Sequence, residues 1–582
     1  MPGGCQVGVA GWRCYITWMK ISSLPGRSAL VACIILTACA ASGPDGAQAG
    51  TPSGNTAYGD FLAAHYADAQ NDPQTAARYF ARALQVDPHN SDFIAGGFMA
   101  AELAGSPLAL ALAPRISGNA LAAMTQANAA AIAGDDARAE QFFATLPQDD
   151  ATGLIKPLLM AWAMVGQGNS QAALTSLTPD FNANGFGSVY ALNAALIADA
   201  AHDDNDAAQF YTEAAAGPTT LRLAQMLASW LARHGQQDQA TAQLAMLAAT
   251  HPDLEIALPA LQAQVSKPVV RTARQGMAEA YLTLAGSLDQ TSQSYLQEIF
   301  LRFALELRPD LSAARLLLAN TLVGGNDPTA SPTQAELRDA LAVLQPVRPD
   351  DALYAPATLQ RANLLAALGQ PQAAVALLNG LMAQNPTDPD LPGDAGEMLR
   401  AAGQCAAAIP YYGKAIALAG SPAPPGAWSL FFDRGICEDT LGNWPAAQAD
   451  MRQALALSPE QPYVLNYLGY SWTIRGERLG QAKRMLTQAV ALDPDDGAVL
   501  DSLGVVDLRL HETKTALAVL IQAVEQDPDD AEVNGHLGDA FWQAGDALQA
   551  AYQWHRALSF NPDAKLRAAL TQKIQLHFGG LH

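Results

Sequence analysis

The C-terminal hundred residues repeat one pattern at a fixed spacing. An Asp-Pro-Asp-Asp tetrapeptide begins at Asp493 and returns 34 residues later at Asp527, and the proline of a further copy, Pro562, keeps the same interval. The dipeptide Leu503-Gly504 recurs in register as Leu537-Gly538. A period of roughly 20 to 50 residues is typical of chains built from stacked units that contact only their neighbours. The sequence therefore predicts a repeat array rather than several separate globular domains.

The residues inside each period resemble the tetratricopeptide repeat, whose pattern contains L-G, A-x3-aromatic, A and P steps. In the last unit Leu537-Gly538 matches the first step, Ala550 and Trp554 the second, and Ala557 and Pro562 the last two. Small residues let two helices approach, and a proline cannot continue a helix interior. The resemblance implies an all-α helical-repeat solenoid, a superhelix of about a dozen helix-turn-helix units that is more regular in its C-terminal half.

The same steps can be followed, more loosely, towards the N-terminus. Ala76, Phe80 and Ala83 keep the spacing of a second helix, and Trp162 and Trp230 are predicted core aromatics. Between 259 and 276 the register lapses around a small basic patch, which indicates a connector between two superhelical halves or, alternatively, a hinge or a contact for an acidic partner. The predicted segments are a degenerate array over 57–258, the connector over 259–276, an array over 277–562 and a capping helix over 563–582.

The N-terminal residues do not fit the repeat. An apolar run over 29–36 follows Lys20 and Arg27, the layout of a secretory signal. The stretch from Leu36 to Cys39 resembles the bacterial lipobox, which implies a signal peptide over 1–38, with Met19 as a possible true start, and a lipidated Cys39. Residues 39–56 are mostly small and polar and are predicted to form a flexible tether.

This lipobox resemblance implies a location. Ala40, rather than an aspartate, follows the cysteine, so the resemblance favours the periplasmic face of the outer membrane over the inner membrane. The alternative is a chance apolar run at a misassigned start, which would leave a cytoplasmic protein.

The charge balance excludes one class of partner. The chain has 55 acidic and 33 basic residues, a net charge of −22. Because phosphate backbones are held by clustered lysine and arginine, nucleic acid is not an expected partner.

Two cysteines, Cys405 and Cys437, lie within the array, on the second helix of one unit and the first helix of the next. A disulfide between them is conceivable in an oxidising periplasm, and the alternative is a pair of buried, small apolar side chains.

No complete catalytic motif is present. His511-Glu512 begins the H-E-x-x-H zinc motif, but residue 515 is threonine, and there is no G-x-S-x-G, phosphate-binding loop or CxxC pair. We therefore expect no enzymatic activity, no metal and no cofactor.

Binding is instead expected on the surface. In tetratricopeptide-repeat proteins the first helices of successive repeats line a concave groove, and the resemblance carries this role to positions on three of them. These positions are Tyr463, Asn466, Tyr470 and Thr473; Asp501, Val505 and Arg509; and Asp539, Trp542 and Gln543. Aromatic residues mixed with isolated polar groups suit an extended peptide or a glycan.

The combined interpretation is a non-enzymatic scaffold lipoprotein that binds protein or peptide partners in the periplasm for cell-envelope assembly. Two alternatives stay open at this point. One is a periplasmic component of polysaccharide synthesis or export, and the other is a cytoplasmic adaptor, if the signal is false.

Overall fold

The structure is a computed structural model that describes residues 56–148, 151–179, 186–288, 294–324 and 331–578. The predicted signal peptide, Cys39 and nearly all of the tether lie outside the described residues. Every regular element in the described ranges is helical, which confirms the predicted all-α fold. None of the helices in these ranges is both long and apolar enough to cross a membrane.

The chain forms two compact units, described here from Thr56 to Leu381 and from Met382 to Phe578. We call them the first and second units. The helices of the first unit are α1 (Ala57–Ala69), α2 (Pro73–Val86), α3 (Ser91–Ala104), α4 (Leu108–Leu112), α5 (Ala120–Ile132), α6 (Asp136–Ala144), α7 (Ala151–Gly166), α8 (Ser170–Leu177), α9 (Gly187–Ala200), α10 (Asp204–Ala214), α11 (Leu221–Arg233), α12 (Gln237–Thr250), α13 (Leu258–Ala263), α14 (Ala273–Ala285), α15 (Ser294–Leu307), α16 (Ser312–Gly324), α17 (Gln334–Leu344) and α18 (Tyr354–Ala367).

Helix α19 (Pro371–Gln384) crosses from the first unit into the second. The remaining helices are α20 (Asp390–Ala401), α21 (Cys405–Leu418), α22 (Trp428–Thr440), α23 (Trp444–Leu457), α24 (Pro462–Arg475), α25 (Leu479–Leu492), α26 (Gly497–Arg509), α27 (Thr513–Gln526), α28 (Ala531–Gln543), α29 (Ala547–Ser559) and α30 (Ala564–Phe578).

Each repeat of the second unit is held by a large side chain packed against a glycine. A Cβ atom at Gly504 in α26 would lie 2.4 Å from the Leu520 side chain in α27, and one at Gly538 would lie 2.4 Å from the Trp554 ring. Ala550, one turn before Trp554, is fully buried. The predicted A-x3-aromatic step therefore marks the crossing point of the two helices in a repeat, where only a residue without a side chain allows contact.

The repeated Asp-Pro-Asp-Asp sequence marks the boundary between repeats. The proline ends one helix, and the last aspartate accepts hydrogen bonds from the first backbone N–H groups of the next. The Asp496 Oδ1 accepts from the backbone N–H of Val499 at 3.0 Å, and the Asp530 Oδ1 accepts from that of Val533 at 2.9 Å. The 34-residue period is thus a period of helix stops and helix starts.

In the first unit, one helix pair lies against the first helices of earlier repeats. Helices α14 and α15 pack on α3, α5, α7 and α9 as well as on each other. The Tyr281 hydroxyl donates to Asn128 Oδ1 at 3.1 Å, and Gly276 lies so close to the Trp162 ring that a Cβ atom there would overlap it. The face that lines a groove in other repeat arrays is therefore occupied here by the chain itself. Trp162 and Trp230 are both buried, as predicted.

A buried carboxylate fastens α14 in this position. Glu279 is fully buried and pairs with Arg222 of α11 and, at 3.0 Å, with Arg308 after α15. Both arginine side chains are less than one-fifth exposed. The Glu279 carboxylate attracts both guanidinium groups, and its contact with Arg222 holds α14 against α11 at a specific register.

The expected connector over 259–276 lies inside the first unit rather than between two halves. It contains part of α13 and the turn leading to α14, and the two units divide after Leu381 instead. The physical reason is the return of α14 and α15 onto earlier helices, which local sequence periodicity does not encode.

We predict that Gly504→Ala destabilises its repeat by about 1–3 kcal/mol, because the added methyl group overpacks the contact with Leu520. Hydrogen exchange of the α26 and α27 amides measures this locally, which suits an array whose repeats open separately. Gly380→Ala in α19 is the matched control: a Cβ atom there meets nothing within 4 Å, so we expect stabilisation by about 0.5–1 kcal/mol. Equal effects at the two positions would contradict the packing argument.

A second prediction concerns Glu279. Glu279→Gln removes the charge that compensates two buried arginines, so we expect a loss of about 3–5 kcal/mol in the free energy of opening α14, measured by hydrogen exchange. Asp350→Asn is the control, because Asp350 is 84% exposed and lies 4.0 Å from Arg348; its effect should stay within about 0.5 kcal/mol. An unchanged α14 in the Glu279 variant would show that the ion pair does not fasten this helix.

Candidate functional site

The candidate site is the face formed by α24, α26 and α28, the first helices of three successive repeats in the second unit. Helix α26 packs against both α24 and α28, so equivalent positions of the three helices lie side by side. We call this face the groove.

Tyr470 and Glu532 join the two outer helices of the groove. The Tyr470 hydroxyl donates to Glu532 Oε1 at 3.1 Å, across a sequence separation of 62 residues. Burial, the Glu532 carboxylate and the nearby Asp501 raise the pKa of the Tyr470 hydroxyl well above its usual range, so it stays a hydrogen-bond donor. This contact therefore closes the groove above α26 at one point.

Beneath this contact lies an ion pair between Asp501 and His536. The Asp501 carboxylate is buried, and its oxygens lie 2.8 and 3.0 Å from His536 Nδ1. Burial opposes the charged form of the imidazole, but Asp501, Glu532 and Asp539 together raise the pKa of His536 to about 9. The histidine is therefore a cation at neutral pH and ties α26 to α28.

The far end of the groove is held by the last helix. Asp539 accepts a hydrogen bond from Trp554 Nε1 at 3.0 Å and pairs with Lys573 of α30 at 2.7 Å. Trp542 keeps 38% of its surface exposed, and its ring lies 3.9 Å from that of His577, also on α30. These two predicted groove residues thus connect the last repeat to α30.

The other predicted positions differ in how much surface they present. Arg509 is exposed, Tyr463 and Asn466 are half-buried, and Gln543 donates to the backbone oxygen of Leu508 at 3.4 Å. The Asn466 Oδ1 is buried and finds no donor among the described residues.

Two positions carried over from the repeat pattern do not face the groove. Thr473 is fully buried and donates to the Gly469 oxygen at 2.8 Å, and Val505 is buried at 7% exposure. Both belong to the helix-packing core, because they lie on the side of their helices that faces the rest of the array.

Two residues of the groove were missed in the sequence. Glu532 and His536 carry its main contacts, yet neither stands in a motif. Glu532 is the second residue of α28, and His536 lies one turn after it, so the positions follow from the helix start at Asp530. Their partners, 62 and 35 residues earlier, follow only from the stacking.

Helices α20 and α22, the first helices of the two preceding repeats, carry partly buried acidic side chains. Burial, followed by the carboxylates of Asp390 and its neighbours, raises the pKa of Asp394 to about 7. Burial also raises the pKa of Asp433 to about 7, although Arg400 opposes the shift. Arg400 pairs with Glu397 at 2.7 Å and lies 3.7 Å from Asp433, so more than one acidic side chain shares this arginine.

Cys405 and Cys437 form a disulfide in the structure, with their Cα atoms 4.8 Å apart. Cys405 opens α21, and Cys437 lies in α22, so the bond joins the second helix of one repeat to the first helix of the next.

The incomplete zinc motif is structural. His511 occupies a left-handed turn with φ 62°, and its Nδ1 lies 2.9 Å from Gln543 Nε2, while Glu512 pairs with Lys483. Within the ranges that the structure describes, no three histidine, cysteine or acidic side chains are arranged to hold a metal ion.

Stacked helix pairs, with a glycine at each crossing in the second unit, define an all-α repeat protein. Residues 394–462 and 474–535 match two family models, both described as tetratricopeptide repeat. These two stretches of the second unit are tetratricopeptide repeats, which confirms the resemblance found in the sequence. Tetratricopeptide repeats are scaffolds for protein–protein interaction.

Similar proteins are matched over short stretches. A TPR repeat-containing protein of Pseudomonas aeruginosa is 32% identical over 81 residues, which are 14% of this chain and 14% of the relative. A lipoprotein NlpI homolog of Haemophilus influenzae is 54% identical over 41 residues, 7% of this chain and 13% of the relative. Each match therefore covers about one seventh of the relative's length.

Among solved structures, a tetratricopeptide repeat protein from Parabacteroides merdae is 14% identical, with a TM-score of 0.33. The match covers 41% of this chain and 92% of that chain.

We predict that the charge on His536 depends on Asp501. Because the folded pKa, about 9, exceeds the ordinary value of 6.5, the pair adds stability that is complete below pH 6.5 and is lost as the pH rises through 9. The difference between these two pKa values corresponds to a contribution of at most about 3 kcal/mol to the free energy of unfolding. A titration of the imidazole by nuclear magnetic resonance should show its pKa falling well below 9 in Asp501→Asn, since only Glu532 and Asp539 then oppose the effect of burial.

Asp495→Asn provides the control for this titration, because Asp495 is an exposed acid in the preceding turn. It should leave the His536 titration unchanged. A His536 pKa that stays near 9 without Asp501 would refute the pairing.

Proposed function

We propose that this protein is a non-enzymatic scaffold that binds a protein partner along the groove of its second unit. The observation that carries the proposal is the contrast between the two units. In the first, α14 and α15 cover the face formed by the first helices. In the groove, Arg509 and Glu532 are exposed and Trp542 is partly so.

The chemistry of the groove favours an extended peptide. Arg509 offers a fork of donors, Glu532 offers an acceptor and Trp542 offers an aromatic surface, and such groups recognise the polar backbone and occasional large side chains of an extended segment. The partly buried acidic side chains of α20 and α22 complement basic side chains in the same partner. Because helix packing holds these groups in place beforehand, little ordering cost remains when the partner binds.

We further propose that the scaffold acts in the bacterial envelope, attached through a lipidated Cys39 to the periplasmic face of the outer membrane. The lipobox-like stretch before Cys39 supports this location. The disulfide between Cys405 and Cys437 also supports it, since such bonds persist in oxidising compartments. The Haemophilus influenzae relative is itself named a lipoprotein. For a protein that binds partners at the periplasmic face of the outer membrane, we propose a role in envelope assembly.

We predict that a photoreactive residue at Arg509 crosslinks a discrete protein partner in cells. Arg509 is a better probe position than Tyr470, whose hydroxyl is already bonded to Glu532. The matched control is Tyr552, which is 60% exposed on the second helix of the last repeat and outside the groove. Crosslinking at 509 and not at 552, read by mass spectrometry, is the expected result.

Three outcomes separate this proposal from its rivals. Equal crosslinking from both positions would overturn the groove as the binding site. A glycan crosslinked at 509 would favour the alternative role in polysaccharide export. An unacylated N-terminus together with free thiols at Cys405 and Cys437 would overturn the envelope location and leave a cytoplasmic adaptor.

A further inference from the structure

The first described helix presents an apolar stripe to solvent. Tyr58, Leu62 and Tyr66 follow one another at four-residue intervals on α1, so they share one face over about 12 Å. They are 68%, 68% and 71% exposed. The opposite face of α1 is buried against α2 through alanines. Of the stripe, Tyr58 touches the core with its ring edge, 5.9 Å between centroids from the buried Phe93, and still keeps most of its surface exposed.

The helix that carries the stripe has few charged side chains of its own. Helix α1 contains two acidic residues and no lysine or arginine. Asp60 is buried and pairs with Arg82 at 2.9 Å, which leaves Asp68 as the one charged side chain on the exposed face of this helix. In a chain of net charge −22, such a face departs from the polar outer surface that terminal repeats need in water.

The stripe also lies close in sequence to the proposed anchor. Helix α1 begins 18 residues after Cys39, and a flexible chain of this length and composition spans roughly 20–25 Å. The tether would therefore keep α1 closer to an acylated Cys39 than any later helix.

We propose that Tyr58, Leu62 and Tyr66 rest on the phospholipid surface to which the protein is anchored. The inference depends on the proposed lipidation of Cys39. Tyrosine suits this position because its ring enters the boundary between headgroups and acyl chains while its hydroxyl stays hydrated. The contact orients the first unit on the bilayer, since a tether alone fixes distance but not orientation.

The missing basic residues make the contact distinctive. Membrane-surface helices that carry lysine and arginine depend on anionic lipids and are weakened by salt. Helix α1 has none, so the apolar stripe supplies the attraction. The contact of the stripe with lipid is therefore expected to depend neither on the content of anionic lipid nor on the salt concentration.

The test uses the full acylated chain with Leu62→Cys, labelled with an environment-sensitive fluorophore. Cys39 would carry lipid and Cys405 and Cys437 are bonded, so the label attaches at position 62. On phosphatidylcholine vesicles we expect the emission to move to shorter wavelength and to be quenched by brominated lipid, with no change on adding phosphatidylglycerol or salt. Leu576→Cys, at a leucine 75% exposed on α30, is the control and should show neither effect.

A second variant confirms that the stripe is responsible. Adding Tyr58→Ser and Tyr66→Ser to the labelled chain should abolish most of the wavelength shift while the acyl chains still hold the protein on the vesicles. A shift of unchanged size would overturn the inference.

The remaining outcomes distinguish the inference from the proposed anchoring. An acylated, vesicle-bound protein whose label at 62 behaves like the label at 576 overturns the inference and leaves the anchor intact. An emission shift of the label in the absence of vesicles also overturns the inference. If that shift grows with protein concentration, a second copy of the chain covers the stripe. If it does not, the chain's own preceding residues cover it. If Cys39 proves unacylated, the anchor fails, and the inference is decided on an unacylated chain in which Cys5, Cys14, Cys33 and Cys39 are replaced by serine, so that the label again attaches at position 62. A shift of its emission on vesicles supports the inference, and no shift overturns it.

Discussion

The fold depends on the close approach of two helices at a glycine. In the second unit, Gly504 and Gly538 leave room for Leu520 and Trp554, and the contact distances admit no added methyl group. Alanines on the second helices, such as Ala516 and Ala550, are fully buried beside these contacts. Close packing of this kind sets the distance between the helices, and so sets how the next repeat stacks and where the first helices present their side chains.

The two units use this arrangement for different ends. In the first unit, the face formed by the first helices is filled by α14 and α15, which are fixed by the Tyr281–Asn128 hydrogen bond and by the buried Glu279. In the second unit the corresponding face holds polar contacts, from Tyr470 to Glu532 and from Asp501 to His536, that join neighbouring helices and still leave charged and aromatic groups at the surface. The first unit is thus built as a self-filled core and the second as a candidate binding surface.

Several polar and charged side chains of the groove stabilise the unit itself. Asp501, Asp539 and Tyr470 are candidate binding residues by their place in the repeat, and each is engaged by a partner within the unit. These contacts rigidify the groove, because buried polar groups gain most when every one of them is paired. Binding then falls to groups that stay exposed, foremost Arg509 and Glu532, whose carboxylate accepts from Tyr470 through one oxygen, Oε1.

The sequence by itself determined the local features of this protein. The 34-residue spacing of Asp493 and Asp527 predicted the helix boundaries, because proline and a capping aspartate act on adjacent residues. The A-x3-aromatic step ending at Trp554 predicted the crossing of helices within a repeat, since both partners lie in one period.

Only the tertiary structure decided what depends on contacts between distant residues. The return of α14 and α15 onto earlier helices, the division of the chain after Leu381, and the pairing of His536 with Asp501 leave no periodic trace. The physical reason is that the sequence of a repeat determines how it packs internally and against its neighbour. Which faces meet across many repeats depends instead on how successive repeats stack.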